Sequence, residues 1–419
     1  MNSKKRIEGR LSSRKSPRKL LVRVAALGIV MLILFLVQSK VSLAGGHLEQ
    51  TINLGVAYYH QGRLKEAREQ FDQVIQTNPD NFEAHYNLIL VYLEEKDYRS
   101  AEEEVKTCLQ LKPEFPELHF QLANVYFYLD KTEEARGEYR EELKINSEHL
   151  PSLYNLAILL KVKKDYLEAA EKLKEILRIN PDFTSAYAEL GTVYVQLTQW
   201  KEAEKMLGEA IKRNKNDLNS RLHLAKVFLV QNELAGAEEQ LLAVIKLDKT
   251  NVPAHIELGY LYLLQEWWDQ AIPPLREALK VNPEQPSAHY YLGFVLMKQK
   301  EWKEAAQELE QAVRNQPTLK GIFYYLGNIY YEMEDYSAAE VNYLQEIKLH
   351  PENPEAHFNL ANLYLAQKKL EAAGKCLRRV VELDSSDAEA HNLLGDIYIQ
   401  QEKYDLAVQE YEKASSLRE

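Results

Sequence analysis

From Leu48 to the last residue the chain repeats every 34 residues without an insertion, and that period constrains the fold more than any other feature. Units of this length begin at Leu48, Phe82, Pro116, Leu150, Thr184, Leu218, Val252, Pro286, Lys320, Pro354 and Ala388. Position 7 is Leu in every unit, from Leu54 to Leu394, and position 20 is Ala, from Ala67 to Ala407. Position 8 is Gly or Ala except at Ile89. Position 11 is Tyr or Phe except at Leu160 and Leu296, and six units carry Pro at position 32. Apolar residues recur at three- and four-residue spacing in two segments per unit, as in HFNLANLYLAQ (357–367) and AAGKCLRRVVEL (372–383). This spacing predicts two amphipathic helices. Small residues at positions 8 and 20 let the two helices approach, the ring at 11 fills the gap beside them, and Pro at 32 stops the second helix. One such pair cannot bury both of its faces, so stability has to come from stacking on its neighbours.

This arrangement resembles the tetratricopeptide repeat family over nearly all of residues 48–419. The resemblance implies an all-α fold, a right-handed α-solenoid of eleven 34-residue helix-turn-helix repeats (48–81, 82–115, 116–149, 150–183, 184–217, 218–251, 252–285, 286–319, 320–353, 354–387 and 388–419). Two local departures stand out. Pro273 and Pro274 fall inside a second helix and predict a kink there. The last helix, YDLAVQEYEKASSL (404–417), either caps the array with its polar side or offers its outer face, with Tyr411, for homo-oligomer formation or a partner.

The N-terminus is of a different kind. Residues 1–46 carry ten Lys and Arg against one acid, a net +9, whereas the rest carries −20 within an overall −11. So acidic a body repels phosphates, which sets nucleic acid aside as a partner. Nine of the ten bases precede the apolar run Val24–Val37, and the positive-inside tendency keeps such a flank in the cytoplasm. Residues 1–19 are read as a basic cytoplasmic tail and 20–44 as a transmembrane signal-anchor, with Arg23 or Lys40 snorkelling. The alternative is a signal peptide cleaved after Ala44, where Ser42 and Ala44 supply the small residues. Either way the repeats are extracytoplasmic: membrane-tethered through a single pass, or secreted, and periplasmic in a Gram-negative bacterium.

No catalytic constellation emerges: the chain has no Gly-rich phosphate loop, no GxSxG elbow and no HExxH. No cofactor is expected, and the chain is read as not an enzyme. Six histidines (His85, His119, His255, His289, His357, His391) share position 4. Helices 8–10 Å apart cannot bring equivalent imidazoles onto one zinc, so packing is the better reading and no metal site is expected. Trp200, Trp268 and Trp302 share position 17, Trp267 precedes one of them, and all four read as packing residues. Cys108 and Cys376 are too far apart for a motif and read as small core hydrophobes.

In proteins that this sequence resembles, the first helix of each unit lines a concave groove through positions 2, 5, 6, 9, 12 and 13. Here those positions hold the rings Tyr86, Phe120, Phe127, Tyr154, Tyr290, Phe294, Tyr324, Tyr331 and Phe358. Among them stand the amides Asn53, Asn87, Asn155 and Asn359 at position 6 and Asn124, Asn328 and Asn362 at position 9. An Asn amide both donates and accepts, so it can pair with the main chain of an extended peptide whatever its sequence. The rings add rigid apolar contact. The set resembles, in part, the asparagine ladder of O-linked N-acetylglucosamine transferases, without their catalytic domain. For each ring, burial between units is the competing reading. The expected function is a membrane-tethered scaffold that binds protein or peptide partners or assembles an envelope complex. The alternative is a glycan-binding, non-catalytic subunit of a polysaccharide, secretion or glycosyltransferase system.

Overall fold

The computed structural model describes residues 46–417, so the basic tail and the apolar segment 20–44 lie outside the described residues. Among the described residues there are 22 α-helices and no strand. They fall into two compact units, one ending at His223 and the other beginning at Leu224. The first holds α1 (Gly46–His60), α2 (Leu64–Thr77), α3 (Phe82–Glu95), α4 (Tyr98–Leu111), α5 (Leu118–Tyr128), α6 (Thr132–Ile145), α7 (Leu150–Val162), α8 (Tyr166–Ile179), α9 (Thr184–Gln196) and α10 (Trp200–Arg213). The division runs through α11 (Leu218–Val230). The second holds α12 (Leu234–Leu247), α13 (Val252–Leu264), α14 (Trp268–Val281), α15 (Pro286–Lys298), α16 (Trp302–Asn315), α17 (Ile322–Glu332), α18 (Tyr336–Leu349), α19 (Pro354–Ala366), α20 (Leu370–Leu383), α21 (Ala388–Gln400) and α22 (Tyr404–Ser416). Within each unit, helices pack as consecutive pairs, and the second helix of a pair also packs on the first helix of the next.

The recurring residues explain that packing. Every position-20 alanine, from Ala67 to Ala407, is fully buried, so the two helices of a pair meet there with no room for a larger side chain. Position 8 faces position 24: a Cβ on Gly327 would lie 2.5 Å from Cε1 of Tyr343, so the ring would have to shift to admit one. The position-7 leucines from Leu88 onward are buried, whereas Leu54 in α1 is 44% exposed. The tight turn inside each pair places position 15 in the left-handed region, at Gly62 once and at ten non-glycine residues from Lys96 to Glu402. An L-residue there costs roughly 1–2 kcal/mol, which the packed helices on either side must offset.

Some expectations need revision. Tyr411 does not lie on the outer face of α22. Its ring packs inward against Gly395, and its hydroxyl donates to Asp396 Oδ1 at 2.6 Å. The exposed apolar side chains of that helix are Tyr404, Leu406 and Val408. Pro273 and Pro274 lie inside α14 as expected, with Pro274 in the core. Trp267 is 46% exposed and stacks on Tyr262, so it does not share the packing role of its neighbour Trp268. Cys108 is buried and Cys376 half-buried; burial pushes their thiols up to about 12 and about 11. Among the described residues, no helix is long and apolar enough to cross a membrane.

Candidate functional site

The first helices carry most of the candidate residues, and the structure sorts them into two kinds. Where Asn at position 9 is followed by Asn at position 6 of the next unit, the two amides meet. Asn155 Nδ2 donates to Asn124 Oδ1 at 3.0 Å, and the same oxygen accepts from Tyr139 Oη at 2.7 Å. In the second compact unit Asn359 Nδ2 and Tyr343 Oη both donate to Asn328 Oδ1, each at 2.8 Å. Each tyrosine sits at position 24, buried in its own pair, and burial raises its phenol, so the proton stays in place to donate. The node uses only the carbonyl of the first asparagine; its NH2 group takes no part. Asn124 and Asn155 are 7% exposed, whereas Asn328 and Asn359 are partly open to solvent.

Asn53, Asn87 and Asn362 join no such node. Each lacks the matching amide 31 residues away, where Asn87 and Asn362 find Val56 and Leu393. Asn53 is exposed, Asn362 is half-buried, and Asn87 donates to the Glu83 carbonyl one turn back at 2.7 Å.

The aromatic residues divide by compact unit. In the first, Tyr86, Phe120 and Tyr154 are buried. Each packs on the last residue of its own repeat: Tyr86 on Phe115 at 5.7 Å, Phe120 on His149 at 5.1 Å and Tyr154 on Phe183 at 5.4 Å. They act as wedges between the helices and the loop that leads to the next pair. Phe127 stays half-buried, edge-on to Tyr128. In the second unit Tyr290, Phe294, Tyr324, Tyr331 and Phe358 are all half-buried.

Three of these belong to a larger cluster across α13, α15 and α17. Tyr325 lies 6.1 Å from Tyr290, 5.1 Å from Phe294 and 5.4 Å from Tyr324, and Tyr291 joins Tyr290 to Tyr260. Burial raises the phenols of Tyr290, Tyr291 and Tyr325, and neighbouring phenols add to the effect at Tyr290 and Tyr291. All three are donors at neutral pH. Lys298 Nζ stands 5.3 Å over the ring of Phe294. Tyr260, Tyr291 and Tyr325 are not among the residues expected from the sequence; rings at positions 6 and 9, as at Phe294, were the available signal.

Among the described residues, no group of three His, Cys, Asp or Glu side chains converges on one point. The arrangement therefore offers hydrogen-bond donors and acceptors interleaved with aromatic faces along the first helices.

Comparison with known proteins agrees with this architecture. Family models described as tetratricopeptide repeat match residues 163–220 and 330–397, 120–182 and 256–319, and 388–419, and a further TPR repeat model matches 55–96. No curated protein matches the chain. Among solved structures, YrrB, described as a TPR protein with an unusual peptide-binding site, is 26% identical. It covers 45% of this chain and 97% of its own, with a TM-score of 0.41. The pilF protein of Pseudomonas aeruginosa is 20% identical over 51% of this chain and 97% of its own, with a TM-score of 0.46. Yeast Tom70 is 15% identical over 89% and 92%, with a TM-score of 0.40. Family models and helix-pair packing agree, and between them the models span most of the sequence: the chain belongs to the tetratricopeptide repeat proteins.

Proposed function

We propose that this chain is a protein-interaction scaffold whose first-helix faces hold extended peptide segments of a partner. It is tethered through residues 20–44, with the repeats outside the cytoplasm. The observation that carries the peptide reading is the node at Asn328 and Asn359. It is a pre-formed, partly open amide pair held by Tyr343, against which half-buried Tyr324 and Tyr331 pack. A main-chain segment laid there would find donors and acceptors at fixed positions, with rings on which to rest its side chains. Preorganisation matters because Tyr343 already holds the node, so little ordering entropy is left to lose on binding. A glycan would need open ring faces to stack on, whereas these rings meet one another edge-on or tilted, which favours peptide over sugar.

Site-specific photo-crosslinking in the native membrane tests this reading. A photoreactive residue at Phe358 should capture a partner, and one at Val341, exposed on the second helix α18, should not. The double variant Asn328→Ala, Asn359→Ala should reduce the Phe358 capture at least tenfold. Equal capture from both faces, or capture unchanged in the double variant, would remove the proposal. The tether is tested separately: alkaline phosphatase fused after Gly46 should be active, and an inactive fusion would place the repeats inside.

A further inference from the structure

Position 4 holds His in six units, and in four of them the structure gives it the same partner. Nδ1 of His85, His289 and His391 lies 2.5 Å from an Oε2 of Glu104, Glu308 and Glu410, and His119 lies 2.6 Å from Glu138. All four glutamates sit at position 23 of the same unit, on the second helix, and Glu occurs at position 23 in no unit without that histidine. The other ring nitrogen reaches back to the preceding repeat. Nε2 meets the carbonyl of Pro79, Pro283 or Ser385, at 2.8, 2.9 and 3.4 Å, for His85, His289 and His391. Two units act as natural controls. His255 faces Pro274 at position 23, and its buried Nδ1 has no partner; His357 has Cys376 there.

Proton counting follows from these contacts. A carbonyl only accepts, so Nε2 must carry a hydrogen. Nδ1 and a carboxylate oxygen 2.5 Å apart must also share one, since two lone pairs at that distance repel. The pairs at His85, His289 and His391, which make both contacts, thus hold the protons of an imidazolium and a carboxylate, one more than a neutral histidine and a carboxylate carry. We propose that the pairs at His85, His289 and His391 are proton-carrying staples, each clamping a first helix to its second helix and, through Nε2, to the loop of the preceding repeat, with His119–Glu138 joining only the two helices of its own pair, so that the array tightens as the surroundings turn from alkaline to mildly acidic.

The sign follows from linkage. Above about pH 6.5 a free histidine loses its proton, while His289, held by Glu308 and the Pro283 carbonyl, keeps it. The folded chain then binds more protons than the unfolded one, and stability falls as pH rises; below that pH the contribution is complete. At His289 burial opposes the charge, but the Glu308 hydrogen bond and the Pro283 carbonyl outweigh it and raise the ring above its usual range. His357, without a glutamate, is lowered by burial, with Arg379 adding to the effect. Other charges face the staples. Asp72 on α2 and Glu103 stand behind Glu104, Glu141 stands near His119, and Lys413 binds the second oxygen of Glu410. At His289, Glu308 is the charged group that acts on the ring.

The test uses the full-length chain in mild detergent with nitrogen-labelled histidine. At pH 7.5 the His289 ring should read as doubly protonated by NMR and become neutral in Glu308→Gln. In Cys376→Glu the His357 ring should gain a proton. Thermal unfolding should drop between pH 6 and pH 8, each staple contributing up to about tenfold in the folding equilibrium per pH unit. The quadruple variant E104Q/E138Q/E308Q/E410Q should flatten that drop, because an amide can donate to a neutral ring. A neutral His289 at pH 7.5, or the same pH dependence in the quadruple variant, would overturn the proposal. Should the quadruple variant fail to fold, the single variants and the gain at His357 still decide.

Discussion

Tyr139 and Tyr343 hold matching pairs of asparagines, 204 residues apart in the chain, yet their surroundings differ. Around Asn124 and Asn155 the position-5 rings of Phe120 and Tyr154 are buried because position 34 offers His149 and Phe183 to pack on. Around Asn328 and Asn359, position 34 holds Asn353 and Asp387, whose side chains turn to cap α19 and α21 and leave Tyr324 and Phe358 part-open. The buried glutamate at position 27 differs in the same sense. Glu142 accepts from the amides of Glu117 and Phe120 at the start of α5, at 3.2 and 3.3 Å. Glu346 accepts from Asn353 at 3.2 Å through one oxygen and has no partner for the other, although it is only 1% exposed. The same short motif is therefore sealed in one unit and accessible in the other, and the residue that ends the repeat makes the difference.

The comparison can be broken most severely at the buried node. Tyr139→Ala should destabilise the first unit by about 3–5 kcal/mol, since it removes a fully buried ring as well as a donor. A lowered melting temperature in calorimetry would register it. Removing only the hydroxyl sharpens the contrast: Tyr139→Phe leaves the carbonyl of Asn124 buried without that donor and should cost about 1–3 kcal/mol. Tyr343→Phe should cost clearly less, because water reaches Asn328. Equal losses in urea unfolding would mean that the two nodes do not differ in accessibility.

The smallest effect concerns how the helices after the two loops begin. Both α5 and α17 follow a left-handed residue, Glu117 (φ 73°) and Gly321 (φ 77°). Glu117→Gly should gain up to about 1 kcal/mol by relieving that conformation, offset in part by added freedom of the unfolded chain, and Gly321→Ala should lose about 1–2 kcal/mol. A loss of stability in Glu117→Gly would show that its side chain contributes more than the strain costs.

How legible this was depended on the distance over which each feature is decided. Position 20 alanine and position 8 glycine announced the close helix contact, because the approach of Tyr343 to Gly327 is made within one helix pair. The register of Asn124 with Asn155 was visible as recurring positions, but the role of Tyr139 was not, since position 24 lies on the other helix. The His–Glu pairs left a trace in the sequence, a glutamate 19 residues after each of four histidines. Reading it required knowing that positions 4 and 23 face each other. Tyr411, expected on the outer face of the last helix, covers Gly395.

The sequence by itself determined the unit and how its two helices must meet, because periodicity and side-chain size act within one pair and repeat identically. Tertiary structure alone decided which rings and amides face solvent. That depends on what the next loop places beside them: a ring at Phe183 covers its neighbour, and a capping carboxylate at Asp387 spends its hydrogen bond on the backbone and leaves the ring open.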